Sequence, residues 1–96
     1  MHVISKKALR QFWKLHPDAE RPLRRWFDTA DTAVWQSFAD VRAVYAKADQ
    51  VGRLTVFNIG GNKYRLITAI HYNRAKVFVR YVLTHAEYDR GEWKEG

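Results

Sequence analysis

His85 and Tyr88 lie three residues apart in Thr84-His85-Ala86-Glu87-Tyr88-Asp89. If that segment turns helically, the two side chains share a face. Histidine is the side chain best suited to move protons near neutral pH. Tyrosine can donate a hydrogen bond or stack on a nucleobase. Arg65 and Arg80 add fixed positive charge of the kind that stabilises a phosphate under in-line attack. Histidine, arginine and tyrosine without a carboxylate cluster suit RNA cleavage without a metal. In that chemistry the RNA's own 2′-hydroxyl attacks the adjacent phosphate, and the protein supplies position, proton transfer and charge stabilisation. The plainer reading stands beside it: a histidine at a strand end often caps a helix or donates a structural hydrogen bond, and a tyrosine often only packs.

Other chemistries find less support. The chain has no cysteine, which excludes disulfides, thiolate metal sites and a cysteine nucleophile. His71 and His85 are fourteen residues apart with no acid between them, so the expected metal set is none and no cofactor is implied. Gly60-Gly61-Asn62-Lys63 lacks the spacing and the following Ser or Thr of a phosphate loop, and it precedes a strand. Ser5 and Ser37 read as helix caps, while His2 and His16 read as surface or packing residues.

The charge points to a polyanionic partner. Seventeen Lys and Arg stand against ten Asp and Glu, for a net charge of +7. Between Gln50 and Ala86 there is no acid at all, while Arg53, Lys63, Arg65, Arg74, Lys76 and Arg80 all fall there. Surfaces usually mix both signs, so an acid-free basic stretch says more than the total. Nucleic acid, a ribosome, an anionic membrane or an acidic protein would all match it.

These residues must be positioned by a fold that 96 residues can build, which is one domain over residues 1–96. The first half reads helical. Ser5 opens a helix with Ala8, Leu9, Phe12, Trp13 and His16 at helical spacing, and Pro17 ends it. A second helix begins between Asp18 and Pro22, with an apolar stripe of Leu23, Trp26, Phe27, Ala30 and Val34. Ser37-Phe38-Ala39-Asp40 resembles a capping box and opens a short third helix. Trp13, Trp26 and Trp35 read as core anchors.

The second half changes period. Leu54–Asn58, Lys63–Tyr72 and Lys76–Thr84 read as strands, separated by turns at 59–62 and 73–75. Val3-Ile4 is a candidate extra edge strand, and the last residues suggest a short helix or an extended tail. The fold class is α+β, with N-terminal helices packed on one face of a small twisted antiparallel β-sheet. Strand alternation sends Tyr64, Leu66, Thr68, Ile70 and Tyr72, with Val77, Val79, Tyr81 and Leu83, towards the helices. An unbroken register then places Lys63, Arg65, His71, Lys76 and Arg80 together on the uncovered face.

Two stretches carry a resemblance. Phe57-Asn58-Ile59-Gly60-Gly61-Asn62-Lys63-Tyr64-Arg65-Leu66-Ile67 and Val82-Leu83-Thr84-His85-Ala86-Glu87-Tyr88-Asp89, with the start Met1-His2-Val3-Ile4-Ser5-Lys6-Lys7-Ala8-Leu9, resemble the HigB toxin family of the RelE-like superfamily. The resemblance spans nearly the whole chain. It implies a bacterial type II toxin that cuts mRNA on the translating ribosome without a metal and leaves a cyclic phosphate. It implies a HigA-type antitoxin partner with a helix-turn-helix domain, operator DNA bound only through the toxin–antitoxin complex, no membrane, and a cytoplasmic location.

Residue by residue, the resemblance assigns Arg65 to the superfamily's early-strand arginine, a contact to the phosphate in the transition state. It assigns His85 to the late basic position, where many relatives carry Arg or Lys, and Tyr88 to the terminal aromatic. Lys63, Lys76, Arg80, His71 and Arg74 are the expected RNA-binding residues. The alternative is a non-catalytic RNA- or ribosome-binding module. A DNA-binding regulator fits less well, because no helix–turn–helix with a basic second helix stands out.

Overall fold

The structure, a computed structural model, describes residues 1–95. In chain order it consists of β1 (His2–Ile4), α1 (Lys6–Leu15), a 3₁₀ turn (Pro17–Ala19), α2 (Glu20–Thr32), α3 (Phe38–Val44), β2 (Asp49–Val51), β3 (Leu54–Ile59), β4 (Tyr64–His71), a 3₁₀ turn (Tyr72–Arg74), β5 (Lys76–Thr84), α4 (His85–Arg90) and a last 3₁₀ turn (Glu92–Glu95). The strands form one sheet in the order β1-β5-β4-β3-β2. β2, β3, β4 and β5 are antiparallel neighbours, and β1 lies parallel to β5. The fold is α+β, as the change of period implies. The Val3-Ile4 edge exists and makes the sheet mixed. β2 is a three-residue edge strand that the sequence reading did not anticipate.

The helices form where apolar spacing and local breakers agree. α1 starts after extended Ser5 and stops at His16, where the following proline disfavours helical backbone. Leu9 and Trp13 of α1, and Leu23, Trp26 and Ala30 of α2, are buried. α2 ends at Thr32, so Val34 falls outside the helix and is 81% exposed; it does not extend the stripe as the spacing predicts. At α3 the Ser37 side chain makes no cap bond, and Asp40 accepts the Gln36 backbone N–H at 2.8 Å. The full capping box lies instead at Thr84 and Glu87, on α4.

The main core sits between the helices and one sheet face. Leu9, Leu23, Trp26, Phe57, Leu66 and Val77 are each at most 1% exposed. Taking such a side chain out of water stabilises the fold by roughly 2 kcal/mol. The Trp26 ring meets Phe57 edge-on at 5.4 Å, and Trp35 stacks on the same Phe57 at 6.2 Å.

The second face departs from simple alternation. Ile67 pairs with Tyr81, but Thr68 pairs with Val79, which leaves Arg80 as an extra residue on β5. This is a β-bulge, and beyond it the side-chain phase of β5 reverses. Val77 and Val79 face the helical core as expected, whereas Tyr81 and Leu83 turn to the opposite face and Val82 replaces them. Tyr81 and Leu83 therefore join Val56, Ile67 and Trp93 in a second apolar cluster. The face expected to be bare is roofed at one end by α4 and the Glu92–Glu95 turn.

Candidate active site

Arg65 stands near the start of β4, on the second face, opposite Leu83 of β5 and Asn58 of β3. It is only 8% exposed. Its guanidinium donates from Nη2 to Asn62 Oδ1 at 2.6 Å, and from Nη1 to the carbonyls of Asn62 and Tyr64 at 3.2 Å each. The Gly60–Lys63 turn is what brings Asn62 back over the guanidinium, with Gly60 and Gly61 both at positive φ. Among the described residues no carboxylate pairs with Arg65. A buried cation held only by neutral oxygens keeps its field for an incoming anion.

α4 delivers the other two residues. The Thr84 hydroxyl accepts the Glu87 backbone N–H at 3.2 Å, and Glu87 Oε1 accepts the Thr84 backbone N–H at 2.9 Å. That second bond favours the charged carboxylate and is the chief reason Glu87 titrates below its ordinary 4.5. The His85 backbone N–H donates to the Lys63 carbonyl at 3.1 Å, which ties α4 to the same turn that holds Arg65. Tyr88 then comes under the guanidinium, 5.2 Å from Arg65 Cζ to the ring centroid. A cation over an aromatic face in a desolvated place contributes up to about 2 kcal/mol.

The stack continues. The Trp93 ring lies on Tyr88 at 5.0 Å and 13°, and Trp93 Nε1 donates to the Tyr88 carbonyl at 2.9 Å. Trp93 is 4% exposed. Sequence reasoning missed it, because Gly91 in the left-handed region breaks the helical spacing that would relate it to Tyr88. The available signal was the apolar character of Val56, Ile67 and Leu83, which needed a cover.

His85 is exposed, with Nδ1 2.9 Å from Asp89 Oδ2 one helical turn on. A carboxylate on Nδ1 favours the proton there, which leaves Nε2 as the free ring nitrogen. Asp89 is the second residue that sequence reasoning missed. Its signal is the i, i+4 spacing from His85 on a helix.

The structure therefore brings Arg65, His85 and Tyr88 to one corner. The expected RNA-binding residues are spread more widely. Lys63 lies outside β4 and pairs with Asp18 at 2.9 Å, at the helix side of the sheet. Asp18 also accepts from the Tyr64 hydroxyl; Tyr64 first, then Lys63, hold its carboxyl below the usual range, and the Asp18 carboxylate in turn pushes the Tyr64 hydroxyl up. His71 and Lys76 face each other across β4 and β5 at the far end, and the His71 ring meets Phe78 edge-on at 5.1 Å. Arg74 is in the adjoining turn, and Arg80 is the bulge residue. The six-residue step from Arg65 to His71 amounts to roughly 20 Å of strand. Among the described residues no group of three or more His, Cys, Asp or Glu could hold a metal ion. Among the described residues no helix is long and apolar enough to cross a membrane.

Residues 19–91 match the family described as the RelE-like toxic component of a toxin–antitoxin system, HigB toxin. The chain belongs to the HigB toxin family. It is 30% identical over 92 residues to the mRNA interferase toxin HigB of Escherichia coli (strain K12), covering 93% of this chain and 88% of that protein. The mRNA interferase HigB of Shigella flexneri matches to the same extent. The mRNA interferase HigB of Escherichia coli O6:H1 is 25% identical over 93 residues, covering 94% of this chain and 90% of that protein. The span matched to the HigB family holds Arg65, His85 and Tyr88 and stops two residues before Trp93. The Tyr88–Trp93 stack thus joins that span to the residues that follow it.

Proposed function

We propose that this toxin is an endoribonuclease that cleaves mRNA on the translating ribosome by attack of the RNA 2′-hydroxyl, with no metal required. The observation that carries the reading is the buried Arg65 charge, free of a carboxylate partner among the described residues, set beside His85 and Tyr88 at the edge of the acid-free strands β3, β4 and β5. The names of the relatives, mRNA interferases, support the same substrate.

In this mechanism Arg65 contacts the non-bridging oxygens of the scissile phosphate and stabilises the charge that builds as a fifth oxygen approaches phosphorus. His85 Nε2 takes the proton from the 2′-hydroxyl. The bond from 2′-oxygen to phosphorus forms as the bond to the 5′-oxygen breaks, and the leaving oxygen gains a proton from solvent or an acid at the site. The products are a 2′,3′-cyclic phosphate and a 5′-hydroxyl. Asp89 holds the imidazole tautomer. Tyr88 carries Arg65 on its ring and offers its hydroxyl at the rim. The RNA supplies the nucleophile, so His, Arg and Tyr suffice.

The expected partner in the cell is a HigA-type antitoxin with a helix-turn-helix domain, and operator DNA is reached only through their complex. The toxin acts in the cytoplasm. Lys63, Lys76, Arg80, His71 and Arg74 contact RNA, with Lys63 exchanging Asp18 for phosphate.

The test is the chemistry of the cut ends. Wild-type toxin is added to a reconstituted translation reaction, and the fragments are sized and weighed by mass spectrometry. A cyclic phosphate and a 5′-hydroxyl are expected, with no cut when the nucleotide 5′ to the scissile bond is 2′-deoxy. A 3′-hydroxyl with a 5′-phosphate would contradict the mechanism.

A further inference from the structure

The bulge does more than shift side-chain phase. It frees Arg80 from the alternation of β5 and lets it line a cleft of about 470 Å³ with Arg53 and His71, beyond Ile67 from the Arg65 corner. Three separate pieces of chain supply these residues. The tight turn between β2 and β3, with Gly52 at φ +61°, presents Arg53. The end of β4 presents His71, and the bulge presents Arg80.

All three residues are exposed, and among the described residues neither arginine has an ion-pair partner. Asp49, the nearest acid along β2, turns its Oδ1 to the Gln50 backbone N–H at 2.9 Å. Gln50, Leu54 and Ala69 make up much of the remaining wall, so no acid lines the cleft. An uncompensated pair of arginines with a histidine, in a concave site, is suited to one ligand chemistry: the phosphodiester backbone of a nucleic acid.

We infer that this cleft is a second phosphate-binding site, an RNA anchor separate from the cleaving corner. The inference rests on the endoribonuclease reading and divides its basic surface into two parts with different jobs. Arg65 is locked and meets one phosphate during the reaction. Arg80, level with Ile67 and Thr68, and Arg53 beyond it hold backbone phosphates roughly 7 Å or more further along the sheet and contribute affinity. Those phosphates belong either to the same mRNA, beyond the cut, or to ribosomal RNA; the chemistry of capture is the same.

The test uses the full chain and the double variant R53A/R80A. Both side chains are exposed, so the fold is expected to stand, and circular dichroism checks it. Binding is read by fluorescence anisotropy on 2′-O-methyl RNA, which cannot be cut by 2′-hydroxyl attack. A long oligonucleotide reaches both sites, and a dinucleotide, with its single phosphate, reaches only the corner. Pelleting with purified ribosomes is the other arm. If the anchor holds mRNA, the double variant binds the long RNA roughly tenfold more weakly, the slope of log affinity against log salt falls by about 1.4 for two lost single-strand contacts, and dinucleotide binding is unchanged. If it holds ribosomal RNA, oligonucleotide binding is unchanged and pelleting drops. Unchanged affinity in both arms overturns the anchor while leaving the nuclease reading intact. Wild-type toxin that binds neither RNA nor ribosomes overturns both.

Discussion

Two regions of the sheet treat positive charge in opposite ways. At the α4 end Arg65 is buried, fixed by three hydrogen bonds and stacked on Tyr88, which itself stacks on Trp93. At the β5 bulge and the β2–β3 turn, Arg80 and Arg53 are exposed and without ion-pair partners among the described residues. Fixing a cation before the reaction removes the reorganisation it would otherwise undergo as charge develops, and this lowers the barrier. Leaving a cation mobile in solvent gives attraction over a distance, at the cost of salt sensitivity. The contrast teaches that one basic stretch of sequence can serve chemistry and capture, and that burial separates the two.

The largest expected effect lies in the fixed region. Arg65→Ala lowers kcat for mRNA cleavage by about 10³-fold, in the range for removal of one transition-state donor. Arg65→Lys recovers little, because an ammonium lacks the planar fork that Asn62 now holds. If both variants changed KM alone, the contrast between the two regions would fail.

Trp93→Ala removes the floor of the stack and opens a void beside Val56 and Ile67. It destabilises the protein by about 3 kcal/mol, read by urea unfolding. It also releases Tyr88, so it lowers kcat where a surface change would not. A fall in stability with kcat intact would reduce Trp93 to packing. His85→Ala lowers kcat by about 10²-fold and removes one limb of the pH–rate profile. An unchanged profile would assign the proton transfer to another group.

The smallest effect concerns the α4 cap. Thr84→Ala costs about 1 kcal/mol of local helix stability. The acid side follows from Glu87, whose folded carboxyl lies below its ordinary 4.5 because the Thr84 backbone N–H binds the charged form. A depressed folded pKa means that the stabilisation is complete above pH 4.5 and is lost as pH falls through the lower folded value. Trp93 fluorescence should report loosening of α4 in that acid window. Glu87→Gln, which keeps a cap acceptor but does not titrate, should abolish the Glu87 part of the change.

The ladder of strands was readable because turn residues punctuate it: Gly60, Gly61 and Asn62 on one side of β4, Asn73 and Arg74 on the other. The bounds of β5 match the reading at both ends, Lys76 and Thr84. The bulge within β5 was not readable. Both phases of Lys76–Thr84 contain apolar residues, so a one-residue slip leaves no polar residue stranded in the core to announce itself. β2 escaped for a related reason: Asp49-Gln50-Val51 has no apolar periodicity, and its pairing with β3 is a backbone matter. At the site, Arg65, His85 and Tyr88 were named from residue chemistry and family likeness, and the fold places them together. Their supports, Asn62, Asp89 and Trp93, depend on a turn, a helical register and a left-handed Gly91, which only three dimensions reveal.

The central claim is that the Arg65–His85 corner cuts RNA. It is tested most directly by inducing wild type, R65A and H85A in cells and mapping new mRNA 5′ ends by primer extension, with each variant's folding checked by circular dichroism. New ends are expected in wild type, lost or strongly reduced in both folded variants. The same cuts at the same intensity in folded R65A and H85A would contradict that claim.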